Sequence, residues 1–217
     1  MKNDTYLLNT AGLRTLDEAL DPEDGRLRVL SAAFWAATRR EERALFGVRN
    51  GLYSFPTVEL VQRLREIIGP RRAIEIGAGH GVLAEALHIP ATDSYQQLVP
   101  KYLLQYKAMG QGIAPYGRNV EPLDARAAIE KHRPEVVIGC WVTHRYDPRR
   151  PLDKGNEVGV DEGWILKRCQ TYIHIGHEGV HHRKPIRRLE HYVEYPSWLY
   201  SRAMSDGRDY LAIWGKP

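Results

Sequence analysis

The sequence is short of the features that would take it out of the ordinary globular class. It has only two cysteines, Cys140 and Cys169, which excludes a disulfide-stapled scaffold and suits a reducing compartment. No apolar stretch approaches the roughly 18 residues that a membrane span requires. No basic stretch followed by an apolar run opens the chain in the manner of a secretory leader. A cytoplasmic protein that engages no membrane is therefore expected. Neither sign of charge dominates: 31 Lys and Arg against 27 Asp and Glu leave +4, with a pI of about 9.0. This mild excess permits an anionic partner without requiring one. Repeats and low-complexity segments are lacking, which excludes solenoids and arrays.

What is present fits one α/β domain with a small extension: 217 residues, 43% of them hydrophobic and 27% charged, enough to bury a single core. Residues 1–50 read as an N-terminal helical extension and 51–217 as the main domain. Within the extension, the turn Asp21-Pro22-Glu23-Asp24-Gly25 precedes an apolar pattern of helical period from Arg28 to about Phe46. A second amphipathic helix follows Phe55-Pro56-Thr57, with Val58, Val61, Leu64 and Ile68 on one face and Gly69-Pro70 as its stop. The period then shortens. Strands are predicted at 73–76, 89–92, 120–123, 136–140 and 171–175, with two more at 191–195 and 210–214. Helices are predicted from 82 to 87, 125 to 132 and 161 to 168. A stretch rich in Tyr and Gln from Tyr95 to Tyr106 and a polar loop over 143–159 carry no assignment. Short apolar strands alternating with helices predict a mainly parallel sheet covered on both faces, its last two strands forming an antiparallel edge.

The segment Glu75-Ile76-Gly77-Ala78-Gly79-His80-Gly81 leaves the first of these strands and opens a helix, the setting a nucleotide-binding loop requires. Glycine allows a sharp turn and brings the backbone against a ligand with no Cβ between them. A dinucleotide loop places glycine or alanine where this sequence has Val82. The acid Glu75 precedes the first glycine instead, which suits a cationic amino-acid group better than a pyrophosphate. Two further acids end the next strands: Asp93, placed for ribose hydroxyls, and Asp124, placed for an adenine amino group.

With these residues in view, Glu-x-Gly-x-Gly-x-Gly resembles motif I of the class I, Rossmann-like, S-adenosylmethionine-dependent methyltransferases. Phe55 to Glu59, Ala91 to Tyr95, Leu123-Asp124-Ala125 and Val136 to Trp141 resemble further blocks of that fold, so the likeness covers about residues 50–217. It implies a seven-stranded sheet with the last strand inserted antiparallel, and S-adenosylmethionine as cofactor. The cofactor set it implies is Glu75, Gly77, Ala78, Gly79, Gly81, Asp93, Asp124, Ala125, Cys140 and Trp141. One departure stands out: the Asn/Asp-Pro-Pro-Tyr/Phe block of amino-methyltransferases acting on bases is replaced by Gly139-Cys140-Trp141-Val142-Thr143-His144. Small molecule, protein and nucleic acid all remain open as substrates, and so does the oligomeric state.

Histidines crowd the C-terminal third at positions 174, 177, 181, 182 and 191. His177-Glu178-Gly179-Val180-His181 matches the zinc-protease pattern H-E-x-x-H, which needs both histidines on one face of a rigid helix. Here the segment leaves a strand, contains Gly179 and soon meets Pro185, so no metal site is expected and a zinc hydrolase is the least favoured reading. His144 and Glu178, in the loops after the fourth and fifth strands, are the candidate proton acceptors. Tyr53, Phe55 and His177 are candidate substrate contacts. The basic run Arg183 to Arg188 is a candidate phosphate contact or a solvated face. Besides the enzyme reading, a non-catalytic cofactor-binding or partner subunit with the same fold is the main alternative.

Overall fold

The computed structural model describes residues 10–216; the first nine residues of the expected extension lie outside that range. The main sheet comprises β2 (Ala73–Ile76), β3 (Ala91–Asp93), β4 (Val120–Pro122), β5 (Val136–Cys140), β6 (Thr171–His177), β7 (Tyr192–Glu194) and β9 (Asp209–Gly215). Their order is β4-β3-β2-β5-β6-β9-β7. The first five run parallel, with β9 antiparallel to both β6 and β7. The strand order reverses at β2, between β3 and β5. This is a Rossmann-like α/β sheet, in the strand order that the resemblance to class I methyltransferases implies. The antiparallel strand is inserted between β6 and β7 rather than lying at the rim.

The strands are short and apolar because both faces are covered. On one face Val136, Ile138, Ile173, Ile175, Leu211 and Ile213 pack against α3 (Val58–Ile68) and α4 (Val82–Leu87). On the other, Ile74, Ile76, Val137, Tyr172, Tyr210 and Trp214 meet α6 (Ala125–His132) and α7 (Glu162–Ile165). The two sets alternate along each strand, as a pleated backbone requires.

The extension differs from the helix expected over 28–46. Leu30 instead bridges Thr57 in extended form, and α1 (Ala32–Ala36) and α2 (Arg40–Arg49) are separate. The break is made by side chains. Thr38 donates its hydroxyl to the Trp35 carbonyl at 2.7 Å. Glu42, 2% exposed, accepts from the Arg39 backbone at 2.9 Å and pairs with Arg14 at 2.9 Å. These contacts hold the Glu42 carboxyl down at about 2. The turn at 21–25 closes a bridge between Leu20 and Leu27 rather than opening a helix. Leu16, Trp35, Phe46, Leu52 and Phe55 form the extension's own core, with the Trp35 and Phe55 rings stacked 4.4 Å apart.

Three other elements depart from expectation. The Tyr- and Gln-rich stretch holds α5 (Pro100–Ala108). The helix from 161 stops at Ile165, and the strand from Thr171 runs on to His177, followed by one turn, α8 (Glu178–His181). A two-stranded ladder, β1 (Ser54–Phe55) with β8 (Tyr200–Ser201), ties the extension to the C-terminal part of the chain. Among the described residues no helix is long and apolar enough to cross a membrane.

Thr57 fixes the junction between extension and sheet. It is fully buried, accepts from Leu60 N at 3.0 Å to cap α3, and donates to the Trp198 carbonyl at 3.1 Å. Thr57→Ala is expected to cost about 1–2 kcal/mol in urea unfolding, and Thr57→Ser to retain most of the stability. Equal stability of Ala and Ser variants would contradict this account.

Candidate functional site

A cleft of about 540 Å³ opens at the carboxyl ends of β2, β3, β4 and β5, where the strand order reverses. Ligands of open α/β sheets sit at that position because the loops on either side diverge. The glycine loop forms its floor. Gly77, Gly79 and Gly81 have φ of +61°, +54° and +70°, a region in which side chains are strained. A Cβ on Gly77 would stand 2.7 Å from Val142 Cγ1, and one on Gly81 2.6 Å from Val120 Cγ2. A Cβ on Gly79 would stand 3.7 Å from Ala114, an ordinary contact, so it is backbone conformation and not packing that favours glycine there. Gly81 caps α4 and does not line the cleft.

Two carboxylates are buried in this floor. Glu75, 3% exposed, accepts from Ala84 N at 2.9 Å through Oε2; its Oε1 has no partner among the described residues. Desolvation, with a smaller contribution from Asp93, pushes its carboxyl up to about 8 against the single opposing Ala84 bond. Asp93, 9% exposed, accepts from Gly79 N at 3.0 Å and Tyr95 N at 2.9 Å. Burial also raises its pKa, against those two bonds. Asp124 is exposed at the cleft's far end and spends Oδ1 capping α6, accepting from Arg126 N and Ala127 N at 2.9 Å each. Its Oδ2 stays without a partner among the described residues.

Of the expected cofactor set, all but Gly81 line the cleft. Cys140 and Trp141 form the wall at the end of β5. Trp141 has φ of +58°, its N–H bonds the Ile175 carbonyl at 2.8 Å, and its ring lies 6.1 Å from Tyr53 and edge-on to His181 at 5.1 Å. The thiol of Cys140 is pushed up to about 12, mainly by burial.

The expected proton acceptors do not reach this cleft. His144 is buried within its own loop, Nε2 bonding the Asp153 carbonyl at 3.0 Å with Gly155 and Gly159 packed against it. Glu178 turns to the segment before β9, accepting from Arg208 N at 3.0 Å. His177 spends Nδ1 on Gly179 N at 3.2 Å, and Phe55 is in the core of the extension. Of the expected substrate contacts only Tyr53 lines the cleft. The H-E-x-x-H residues do not share a helix face: His177 ends β6, and His181 Nδ1 accepts from His177 N at 3.0 Å. His174 pairs with the Tyr210 hydroxyl at 3.0 Å. Among the described residues no group of three or more His, Cys, Asp or Glu is placed to hold a metal ion. The basic run is largely spent: Lys184 is buried on Glu162 at 2.8 Å, Arg187 lies over the Tyr210 ring and Arg188 pairs with Asp153.

Several lining residues had no signal in the sequence. Tyr102 and Tyr106 of α5, Tyr116, Gln97 and the loop segment 156–161 all face the cleft, as does His80 of the glycine loop. Glu157 joins Lys101 and Tyr102, so α5 and the loop after β5 meet as a roof. His80 accepts from Val82 N at 3.1 Å.

No family model matches the sequence, and no curated protein matches it. Solved structures of similar chain trace include a Thermoplasma acidophilum protein at 15% identity, covering 80% of this chain and 86% of that one with a TM-score of 0.35. A precorrin-6y C5,15-methyltransferase from Geobacter metallireducens is similar at 12% identity, covering 74% and 89% with a TM-score of 0.37. A ribosomal protein L11 methylase from Lactobacillus delbrueckii is similar at 15%, covering 73% and 79% with a TM-score of 0.36.

The raised Glu75 carboxyl has a consequence for stability. Between about 4.5, its ordinary value, and about 8, the unfolded carboxyl is ionised while the folded one keeps its proton. Unfolding then releases a proton, so stability falls as pH rises through that window and levels off above it. Glu75→Gln keeps the bond from Ala84 and removes the titration. Thermal melts from pH 5 to about 9 are expected to show a shallower fall in the variant, with the share due to Asp209, whose carboxyl burial pushes up to about 6, remaining. An unchanged pH slope would show that Glu75 is not the titrating group.

Proposed function

We propose that this protein, built on the class I methyltransferase fold, is an S-adenosylmethionine-dependent methyltransferase. The observation that carries the reading is the pair Glu75 and Asp93: two carboxylates buried beside a left-handed glycine loop, one with an uncommitted oxygen in the cleft. Buried acids of this kind call for a partner that is cationic or rich in hydroxyl donors. The amino-acid end of the cofactor offers an ammonium to Glu75, its ribose offers hydroxyls to Asp93, and its adenine amino group suits Oδ2 of Asp124. Gly77 and Gly79 let the backbone approach. Val82, in place of a small residue, disfavours a dinucleotide.

Bound there, the cofactor supplies a methyl group already activated on a sulfonium. The chain's task is then to hold an acceptor in line with that methyl and to keep water away. Tyr53 and Trp141 give flat, electron-rich walls at the end of β5, which favour a nearby cation. The roof formed by α5 and the 156–161 segment covers the site from solvent. His144, His177 and Glu178 have no part in this reading, since their bonds hold them elsewhere.

Calorimetry is expected to show binding of S-adenosylmethionine or its demethylated product and none of NAD. Gly79→Val, which sets a branched side chain in the open cleft, is expected to weaken that binding by at least about tenfold, or roughly 1.4 kcal/mol. NAD binding without S-adenosylmethionine binding defeats the proposal. Methyl transfer is to be sought with labelled cofactor on nucleic-acid, protein and metabolite pools. Cofactor binding without transfer to any pool points to the partner-subunit alternative.

A further inference from the structure

Positive charge gathers on one side of the cleft mouth. Arg126 and Arg145 line the cleft itself, and Arg149, Arg150, Lys167 and Arg168 line a shallow groove beside it. They come from α6, from the loop after β5 and from the stretch after α7, so this is a convergence in space and not a run in sequence. Asp161 and Trp164 line both cavities, which makes groove and cleft neighbours across one wall.

Among the described residues two carboxylates line the groove, and both are engaged. Asp147 pairs with Arg149 at 3.0 Å. Asp161 lies 3.6 Å from Arg126 and accepts from Trp164 N at 3.1 Å. Of the further acids in the cleft wall, Glu157 is taken by Lys101 and Tyr102, and Asp124 spends Oδ1 on the cap of α6. Arg145, Arg150, Lys167 and Arg168 are exposed and have no acidic partner within ion-pair distance among the described residues, Arg150 acting only at longer range on Asp147 and Asp153. Arg168 lies instead over the Trp164 ring, 3.8 Å from its centre.

Four unpaired cations in one neighbourhood repel one another, and a surface without a partner lowers that repulsion by interspersing acids. They extend from the cleft lining outward along the groove, which suits a chain of repeated anions better than a single small one. The cleft that they lead to has the flat walls Tyr53, Tyr106 and Trp141, suited to a planar ring.

We propose that the methyl acceptor is a nucleic-acid strand, held by its phosphates along Arg150, Lys167 and Arg168 and led past Arg145 so that one base enters the cleft. The acceptor's identity rests on the methyltransferase reading; the docking surface does not.

The test is fluorescence anisotropy with a labelled single-stranded RNA of about 16 nucleotides. The full chain is compared with the triple variant Arg150→Glu, Lys167→Glu, Arg168→Glu. None of these residues lines the cleft, so calorimetric affinity for S-adenosylmethionine should be unchanged in the variant and reports that it is folded. At about 50 mM salt the variant is expected to bind RNA at least tenfold more weakly, and its log–log salt slope to shrink by about 2. Absence of RNA binding by the unmodified chain, or binding indifferent to the triple substitution, overturns the proposal. So does equal competition by poly-glutamate of matched charge, which would assign the groove to an acidic polypeptide, or equal binding to phosphatidylserine vesicles, which would assign it to a lipid surface. RNA binding by a chain that fails to bind S-adenosylmethionine would sink the methyltransferase reading while leaving the docking surface in place.

Discussion

Glu75 and Asp93 stand at the carboxyl ends of adjacent strands, both nearly sealed from water, and the electrostatic cost of keeping them there constrains what surrounds them. Each can be tolerated because backbone N–H groups point at it: Ala84 for one, Gly79 and Tyr95 for the other. The Gly79 and Ala84 donors exist only if the chain after β2 turns through left-handed conformations and enters α4 at once, whereas Tyr95 N comes from the turn after β3. The glycines are thus required twice, to make the turn and to present Gly79 N to Asp93. The compensation is incomplete, as the raised pKa values show. A site whose charges are only partly satisfied without a ligand has binding energy in reserve for a ligand that completes them.

The parts of this arrangement that could be read in the sequence are those set by local pattern. Ile74 and Ile76 mark a buried strand, Gly77 to Gly81 mark the turn, and Asp93 and Asp124 follow the next strands, so the floor of the cleft was visible from one dimension. Contacts between distant residues were not. The helix expected through residue 46 is interrupted where Thr38 bonds back to Trp35 and Glu42 caps α2 through Arg39 N, Glu42 being held also by Arg14, 28 positions away, and apolar periodicity records none of these. His144 looked available for chemistry because its loop is polar, yet the Asp153 carbonyl and two glycines enclose it. Helix α5 escaped notice for a different reason: it has no buried residue, so it lacks the apolar stripe by which helices are recognised.

The walls of the cleft illustrate how unlike elements share one task. Its floor is sheet and glycine loop, rigid through backbone bonding on both sides. Its roof is α5 and the 156–161 segment, which meet through exposed side chains of Lys101, Tyr102 and Glu157. Exposed ion pairs contribute little to stability, so this seam is weak compared with the floor. A rigid base under a lightly joined cover lets a ligand enter without disturbing the charges that receive it.

The pairing of β1 with β8 sets an order of assembly. Ser54 is matched with Ser201 and Phe55 with Tyr200, so the segment that contributes Tyr53 and Ser54 to the cleft finds its partner strand nearly 150 residues later in the chain. During synthesis, β2, the glycine loop and β3 can be in place while that wall has nothing to pair with. β9, which locks β6 into the sheet, emerges later still. The residues of the glycine-loop floor thus leave synthesis well before the strands that complete the sheet, whose pairing is non-local in sequence. Loss of those final strands would leave β1 without its partner and strip Tyr210, Leu211, Ile213 and Trp214 from the two faces of the core.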